Sequence, residues 1–493
     1  MIAGHLPVLL VVLPLMAAPV CVLLRRPAWA WTVAALASWG AFVAAIGLLL
    51  QVLDGGPISY PIGGWAAPWG IEYRLDMAGA FVAVIVSAIG AIVVPYARAS
   101  IEREVAADRI YLFYCMYLLC LAGLLGITAT GDAFNLFVFL EIASLSSYVM
   151  IALAQDRRAL TAAYRYLIMG TIGATFYLIG VGLMYMMTGT LNMADLALRL
   201  PAVAETRTIL AALAFLTVGI CLKLALFPLH LWLPNAYTYA PSAVSAFLAA
   251  TATKVAVYVL IRVYFTIFAN VDVFETMFLR EVLMALAVLA MLSASAIAVF
   301  QTNIKRMLAY SSLAQIGYMV LGINFATLTG LTGGIIHLFN HALMKGALFM
   351  AVGCVVFRLQ AANLDTIEGL GRRMPATMAA FVVGGLSLIG VPLTVGFVSK
   401  WTLVLAAIEL NMWSIVVAIV GSSLLAIAYV WRVVEISFFK PTPEGAPAIA
   451  EAPLSMLIPT WLLAGACLWF GIDASTTLSV ARASAAFLLG GAP

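Results

Sequence analysis

The stretch CLKLALFPLHLWLPNAYTYAPSAVSAFLAATATKVAVYVL, residues 221–260, is apolar almost throughout yet carries Lys223, His230 and Lys254. Its apolar residues run on without the period-two alternation of a membrane β-strand, so a barrel is excluded. In lipid the remaining way to satisfy every backbone group is the α-helix. About 20 apolar residues carry a helix across about 30 Å of hydrocarbon. Pro228 lies between Lys223 and His230 and removes the helical bond to the carbonyl of Leu224; Pro234 and Pro241 follow. The stretch therefore predicts a helix interrupted inside the bilayer beside one lysine, then a helix with a second lysine near its middle. Lys223 and His230 are expected near one face of the first helix.

Outward from here the same texture covers the chain. Of 493 residues 65% are hydrophobic and 9% charged, against about 25% charged in soluble proteins. Fourteen spanning segments are expected, at about 5–24, 29–52, 78–98, 110–128, 133–155, 162–187, 209–233, 241–267, 276–300, 307–324, 329–357, 376–408, 412–437 and 454–490, the last of them one helix ending near Asp473 plus a short amphipathic tail. The fold class is an all-α membrane protein. Polar stretches 54–77, 188–208 and 438–453 are loop-sized and leave no room for a soluble domain. One set of loops carries fourteen Lys and Arg and the opposite set five, leaving out Arg262 and Arg432 within spans. The excess marks the cytoplasmic side and places both termini outside. Leu6–Leu24 lacks a basic leader and is followed by Arg25 and Arg26, so it reads as a retained helix. The net charge of +4 is dispersed and forms no nucleic-acid patch. Cys21, Cys115, Cys120, Cys221, Cys354 and Cys467 lie in apolar runs without C-x-x-C spacing, as small packing residues do.

Four of the six lysines, Lys223, Lys254, Lys345 and Lys400, fall within spans. Each costs about 2.5–3.5 kcal/mol at mid-bilayer, which favours function over snorkelling at a helix end. Glu141 is the only carboxylate deep in an expected span, with Ser144 three residues on. A buried carboxylate whose proton affinity depends on a neighbouring charge is a proton-transfer element; the bland reading is a structural ion pair. His337, His341 and Lys345 recur at i, i+4, i+8 with Asn340 close by, and read as a relay on one helix face. No acidic partner near in sequence turns that stripe into a metal site, and no cofactor motif is present. Gly390, Pro392 and Gly396 predict a second interruption, with Lys400 eight residues beyond Pro392. Broken helices expose carbonyls and half-helix dipoles at the ion sites of transporters. Two five-helix repeats, 101–267 and 268–440, each with a buried lysine and a broken helix, follow from this pattern; an odd helix number makes them inverted. Residues 1–100 add three helices and 441–493 the last.

Residues 221–260 closely resemble the seventh and eighth helices of the antiporter-like proton-conducting subunits of respiratory complex I, membrane-bound hydrogenases and the multisubunit Mrp sodium/proton antiporters. RMLAYSSLAQIGYMVLGI (306–323), HLFNHALMKGALFMAVGCV (337–355) and LIGVPLTVGFVSKW (388–401) continue the resemblance. FNLFVFLEIASLSSYVMIAL (134–153) and TGTLNMADLA (188–197) look most like the D subunit of the Mrp complex. The resemblance implies fourteen helices, two inverted repeats each with a proton half-channel, and a site made of Glu141, Lys223, Lys254, His337, His341, Lys345 and Lys400, supported by Ser144, His230, Pro228 and Pro392. No cofactor and no metal are expected. The resemblance implies partner subunits of a hetero-oligomeric antiporter in a bacterial inner membrane, with protons as the carried ion and Na+ coupling drawn from the Mrp likeness alone. The alternative it leaves is a proton-pumping subunit of a complex I-like or hydrogenase complex. Asn235, Asn303 and Leu393 depart from the residues usual in that family. A stand-alone symporter is the rival from another class.

Overall fold

The computed structural model describes residues 2–443 and 449–490. Residues 444–448, within the third polar stretch, lie outside the described residues. Apart from one antiparallel hairpin, Ile58–Pro61 against Glu72–Leu75, the described chain is helices and their connections. Twelve helices among the described residues are long and apolar enough to cross a bilayer. Ile304–Asn324, and Pro375–Ile389 joined to Val395–Glu409, bring the spans to fourteen.

In order, spans one to six are Leu6–Leu24, Pro27–Gly55, Met77–Glu104, Ile110–Ala129, Ala133–Ala152 and Arg157–Thr188. Span seven is Arg207–Leu224 with Trp232–Tyr239; span eight is Ser242–Ala250 with Ala252–Arg262. Spans nine to eleven are Leu279–Val299, Ile304–Asn324 and Leu328–Leu359. Span twelve is the broken pair above, and spans thirteen and fourteen are Trp413–Val434 and Leu454–Ile472. Ser475–Leu488 forms the separate tail helix. Spans eight, ten and eleven are buried along almost their whole length.

The local chemistry shows why the elements begin and end as they do. Asp76, Asp132 and Asn303 cap spans three, five and ten, each side chain accepting a backbone N–H of the first turn. Span seven stops at Leu224 because Ala225 turns left-handed (φ 61°) and Leu226 N bonds the Cys221 carbonyl at 3.0 Å. Span twelve stops in the same way: Gly390 has φ 93° and Val391 N bonds the Leu386 carbonyl at 3.1 Å. Both are the six-to-one helix ending in which a left-handed residue closes the last turn. Pro228 and Pro392 follow at once and prevent continuation.

The two five-span sets match at further points. Ala133 N and Met193 N bond Leu191 O and Gly131 O, both at 2.9 Å, tying the start of span five to the chain after span six. Ile304 N and Leu364 N bond Ala362 O (2.7 Å) and Thr302 O (2.9 Å), tying the start of span ten to the chain after span eleven. Each set ends in a π-helical turn, Val263–Ile267 and Glu435–Phe439. With five spans in each set, the second set is inverted relative to the first.

Two expectations need correction. Span seven does not run helically through 209–233, so Lys223 and His230 share no helix face; His230 lies in the break that Ala225 and Pro228 create. Span eight carries an unforeseen interruption at Thr251 (φ −124°, ψ −60°).

Candidate functional site: a row of buried ionisable side chains

The row begins where spans five, six and seven meet. Gly173 and Gly219 let spans six and seven touch backbone to backbone. A Cβ at Gly173 would fall 2.9 Å from the Gly219 carbonyl oxygen, and one at Gly219 would fall 2.6 Å from that of Gly173. This close approach carries Lys223, at the end of the first half-helix, against span five. Its ammonium donates to Glu141 Oε1 at 3.1 Å and to Ser144 Oγ at 2.8 Å. Lys223 is 6% exposed, but Glu141 is 23% exposed. The carboxylate thus sits on the outward stripe of span five, with Phe134, Val138, Leu145 and Val149, and is less deep than the sequence suggested. The Leu222 carbonyl, which keeps a bond from Ala225 N at 3.3 Å, also accepts from Trp232 Nε1 at 3.0 Å, and Trp232 stacks on Tyr166 at 3.8 Å.

A cavity of about 30 Å³, lined by Ser144, Ser147, Tyr166, Lys223, Ala252 and Val255 among others, separates Lys223 from the second half of span eight. It is large enough for a water molecule. Lys254 lies beyond, with no exposed surface. Its ammonium donates to the Ala249 carbonyl, next to the Thr251 interruption, and to Thr253 Oγ1 at 3.3 Å.

Span eleven supplies the stripe. His337 and His341 are fully buried with parallel rings 6.0 Å apart. His337 Nδ1 pairs with Ser399 Oγ at 2.8 Å. His337 Nε2 and both His341 nitrogens have no hydrogen-bond partner among the described residues. Buried polar atoms of this kind require water or a proton partner. Lys345 donates to Leu308 O at 2.9 Å and to Ser311 Oγ. Asn340 donates to Val395 O at 2.6 Å and so holds the second half of span twelve. There Lys400 donates to the Leu388 and Ile389 carbonyls, exposed by the break, at 2.9 and 3.0 Å, and to Ser423 Oγ at 3.0 Å. It also lies 5.0 Å from the Tyr318 ring centre. Among the described residues Lys254, Lys345 and Lys400 therefore bond only neutral oxygen atoms, and Lys223 alone of the four bonds a carboxylate.

His230 is buried in the span-seven break, its ring 5.1 Å from Phe227, with Nδ1 unpartnered among the described residues. It stands apart from the Glu141–Lys223 contact. Among the described residues no three His, Cys, Asp or Glu side chains could hold a metal ion. The six cysteines are buried and free.

The structure adds residues that the sequence reading passed over. Arg262, set aside as lying within a span, pairs with Asp76 in a buried contact through both terminal guanidinium nitrogens. Burial would raise the Asp76 carboxyl, but the Arg262 guanidinium and the Gly79 N–H outweigh it and hold the carboxyl below the usual range. Lys305, assigned to a loop by charge bias, is buried beside Glu104. Arg262 was visible as a charge inside an apolar run; nothing local in sequence points to the Glu104–Lys305 contact.

Two inverted sets of five membrane helices, each broken beside a buried lysine or the carbonyls that a lysine caps, define the antiporter-like class of ion-translocating membrane proteins. The family described as "NADH:quinone oxidoreductase/Mrp antiporter, TM" matches residues 130–426, and the chain belongs to that family. It is 43% identical over 476 residues to the N subunit of an NADH-quinone oxidoreductase of Desulforudis audaxviator, covering 93% of this chain and 94% of that one. It is 32% identical over 368 residues to the D subunit of a Na+/H+ antiporter of Alkalihalophilus pseudofirmus, covering 75% and 73%. Among solved structures, a chain of the Mrp complex from Dietzia sp. superposes with a TM-score of 0.90 at 26% identity, covering 99% of this chain and 98% of that one.

Proposed function

We propose that this chain is the proton-translocating subunit of a multisubunit membrane complex, and that protons follow Glu141, Lys223, Lys254, the His337–His341–Lys345 stripe and Lys400. The observation that carries this reading is the Lys223 ammonium held 3.1 Å from Glu141 at the head of a row of lysines with neutral partners. While the pair is closed, Glu141 stabilises the charged lysine. When the carboxylate is drawn away or protonated, Lys223 releases its proton through the small cavity toward Lys254. The histidines pass it on, and Lys400 delivers it where span twelve opens. Ser144 orients the Lys223 ammonium, and Pro228 and Pro392 keep the two breaks open. In this reading residues 101–267 and 268–440 are the two half-channels, 1–100 and 441–493 are flanking helices, and the arginine-rich loops face the cytoplasm of a bacterial cell with both termini outside.

The finer reading is a component of a Na+/H+ antiporter, of the D type, that works with other membrane subunits. The antiporter relatives of that type and the Mrp superposition support it. A second reading, a proton-pumping subunit of a redox-linked complex, is favoured by the higher identity to the oxidoreductase relative. Purifying the tagged chain with its partners and identifying them by mass spectrometry separates the two. Small hydrophobic antiporter subunits support the first; iron–sulfur and flavin subunits overturn it in favour of the second. Proton movement in vesicles tests the path: undiminished transport with Lys223→Ala overturns it.

A further inference from the structure

Each five-span set ends beside a cavity of about 460 Å³. The second lies on the arginine-rich face and the first on the opposite one. The two are counterparts. The register fixed by the matched tethers carries Gly131, Met193, Ala197 and Ala269 of the first cavity onto Thr302, Leu364, Glu368 and Lys440 of the second. It also brings Arg262 within one position of Arg432, each shortly before the π-helical turn that closes its set. Both arginines stand where the last span of a set meets the end of its first span. Arg262 Nε donates to the Tyr258 hydroxyl at 2.7 Å, which donates to the Thr128 carbonyl of span four at 3.1 Å. Arg432 Nη1 donates to Val299 O, at the end of span nine, at 2.9 Å and to Gln301 O at 3.3 Å.

The cavities differ in what covers them. Span three belongs to neither set, and it begins against the first cavity. A Cβ at Gly79, in its first turn, would fall 2.8 Å from Thr128 O and 3.1 Å from both Arg262 Nη2 and the Tyr258 hydroxyl. That turn therefore lies between the ends of spans four and eight, and its capping residue Asp76 pairs with Arg262. Phe487 and Leu488 of the tail helix close more of the wall. The described wall of the second cavity comes from the second set alone. Arg432 bonds main-chain carbonyls and pairs with no carboxylate among the described residues. Glu368 is taken by Lys440 at 2.7 Å, and Asp365 and Glu435 lie beyond ion-pair distance of Arg432.

The groove beside Arg432 is uncovered. Ala428, one turn before it, is exposed, and so is Phe300 at the end of span nine. Farther along, a Cβ at Gly421 would stand 3.8 Å from Leu292 Cδ2, so spans nine and thirteen still border each other there. Small residues such as Gly421 and Ala428 let another helix approach closely. A lipid phosphate would also answer the charge of Arg432. The first set decides for a helix end, because there the corresponding arginine is met by a capping carboxylate whose helix fills the groove.

We propose that the groove between spans nine and thirteen seats a helix of another membrane subunit, one that begins on the arginine-rich face and whose capping Asp or Glu pairs with Arg432 as Asp76 pairs with Arg262. Such a carboxylate is held twice, by the guanidinium and by the N–H groups of its own first turn. This rests on the reading that the chain works with other membrane subunits.

The test substitutes Ala428 by the photo-reactive benzoylphenylalanine in the complete complex, irradiates native membranes and identifies the linked peptide by mass spectrometry. The expected link is to another membrane subunit, in the first turns of a helix that begins with Asp or Glu on the arginine-rich face. Arg432→Gln is expected to lower the yield of that link by about tenfold or more. Arg432→Asp combined with arginine at the partner's acidic position is expected to restore it. Links to lipid alone, links to a segment without a carboxylate, or an unchanged yield with Arg432→Gln overturn the proposal. If Arg432→Gln does not accumulate, the segment linked from Ala428 in the otherwise unaltered chain decides by the same criterion. A complex that purifies with partners yet gives no protein link from position 428 overturns this docking site alone. A chain that purifies without partners overturns the reading beneath it, and the docking site with it.

Discussion

Replacing Glu141 by glutamine preserves the size of the side chain and an oxygen for Lys223, but removes one charge from the head of the row. The lysine ammonium stands 3.1 Å from the carboxylate. At an effective dielectric of about 20, two unit charges at that separation interact by about 5 kcal/mol. This is an upper figure, because Glu141 is 23% exposed and screened on its outward side. A proton crossing 100 mV is worth about 2.3 kcal/mol. Opening and closing this single contact thus supplies energy on the scale that one transported proton needs. Without the charge, Lys223 feels the same surroundings whether or not the side chain at 141 moves, and the step that releases its proton is no longer driven. Each 1.4 kcal/mol of lost drive is about tenfold in rate, so proton movement is expected to fall by at least tenfold. The assay is pH-gradient formation or dissipation in vesicles holding the whole complex, normalised to the amount of assembled protein. Glu141→Asp, which keeps the charge on a shorter arm, is expected to retain partial activity. Wild-type transport by Glu141→Gln refutes the reasoning, since the pair is then structural.

Other outcomes follow from the packing. Asp76→Asn leaves Arg262 buried without its counter-charge and is expected to cost about 3–5 kcal/mol; the double change with Arg262→Met recovers most of it, as read by thermal unfolding in detergent. Because the Asp76 carboxyl is held below its usual range, its contribution is complete above the unfolded value near 4 and is lost as pH falls through the lower folded value. Melting temperatures of wild type and Asp76→Asn are therefore expected to stay well apart from pH 8 to 5 and to converge only below about 4. Gly396→Ala would place a Cβ 1.7 Å from the Ser387 carbonyl oxygen. A cost of about 3 kcal/mol is expected, with lower yield of assembled protein. The six buried cysteines are expected to resist a membrane-impermeant maleimide until the protein is denatured.

The spans were legible because each crossing needs its own long apolar run, and the two breaks because Pro228 and Pro392 cannot continue a helix. The interruption at Thr251 was not, since threonine fits a helix; Lys254 bonding back to the Ala249 carbonyl accompanies it, and that contact has no periodic signature. Lys223 and Glu141 were legible as charges in lipid, but their contact joins residues 82 apart and has no local signature in the sequence. The outward position of Glu141 was hidden, because helix periodicity in an apolar span does not tell a lipid face from a packed one. Lys305 was misplaced because a basic residue at a span end reads as a loop charge, whereas the end of span ten is covered by spans three and eight. The Asp76–Arg262 pair joins residues 186 apart and became visible only once spans three and eight were side by side.

The matched tethers of spans five and six with ten and eleven also explain why the histidine stripe occurs in one set alone. With Asp132 aligned to Asn303 and Asn192 to Asn363, the positions of His337, His341 and Lys345 fall on Tyr166, Gly170 and Ala174. The first set therefore has room at Gly170 where the second carries an imidazole. Tyr148 fills that room: its hydroxyl oxygen lies 1.8 Å from where a Cβ at Gly170 would stand. Tyr148 is one turn from Ser144, the hydroxyl that holds Lys223, and its ring packs at 4.6 Å on Tyr166. Gly170→Ala is then expected to push Tyr148 aside, at about 1–3 kcal/mol of stability, and to loosen the Ser144–Lys223 contact. Tyr148→Phe in the same chain removes the colliding oxygen and is expected to restore much of the stability. If Gly170→Ala melts and transports like the wild type, Tyr148 does not occupy the histidine position. If the double change recovers stability without transport, the Tyr148 hydroxyl itself belongs to the proton path. Recovery of both assigns it to packing, and the first set then works through its carboxylate–lysine pair while the second works through imidazoles and amines held by neutral oxygens.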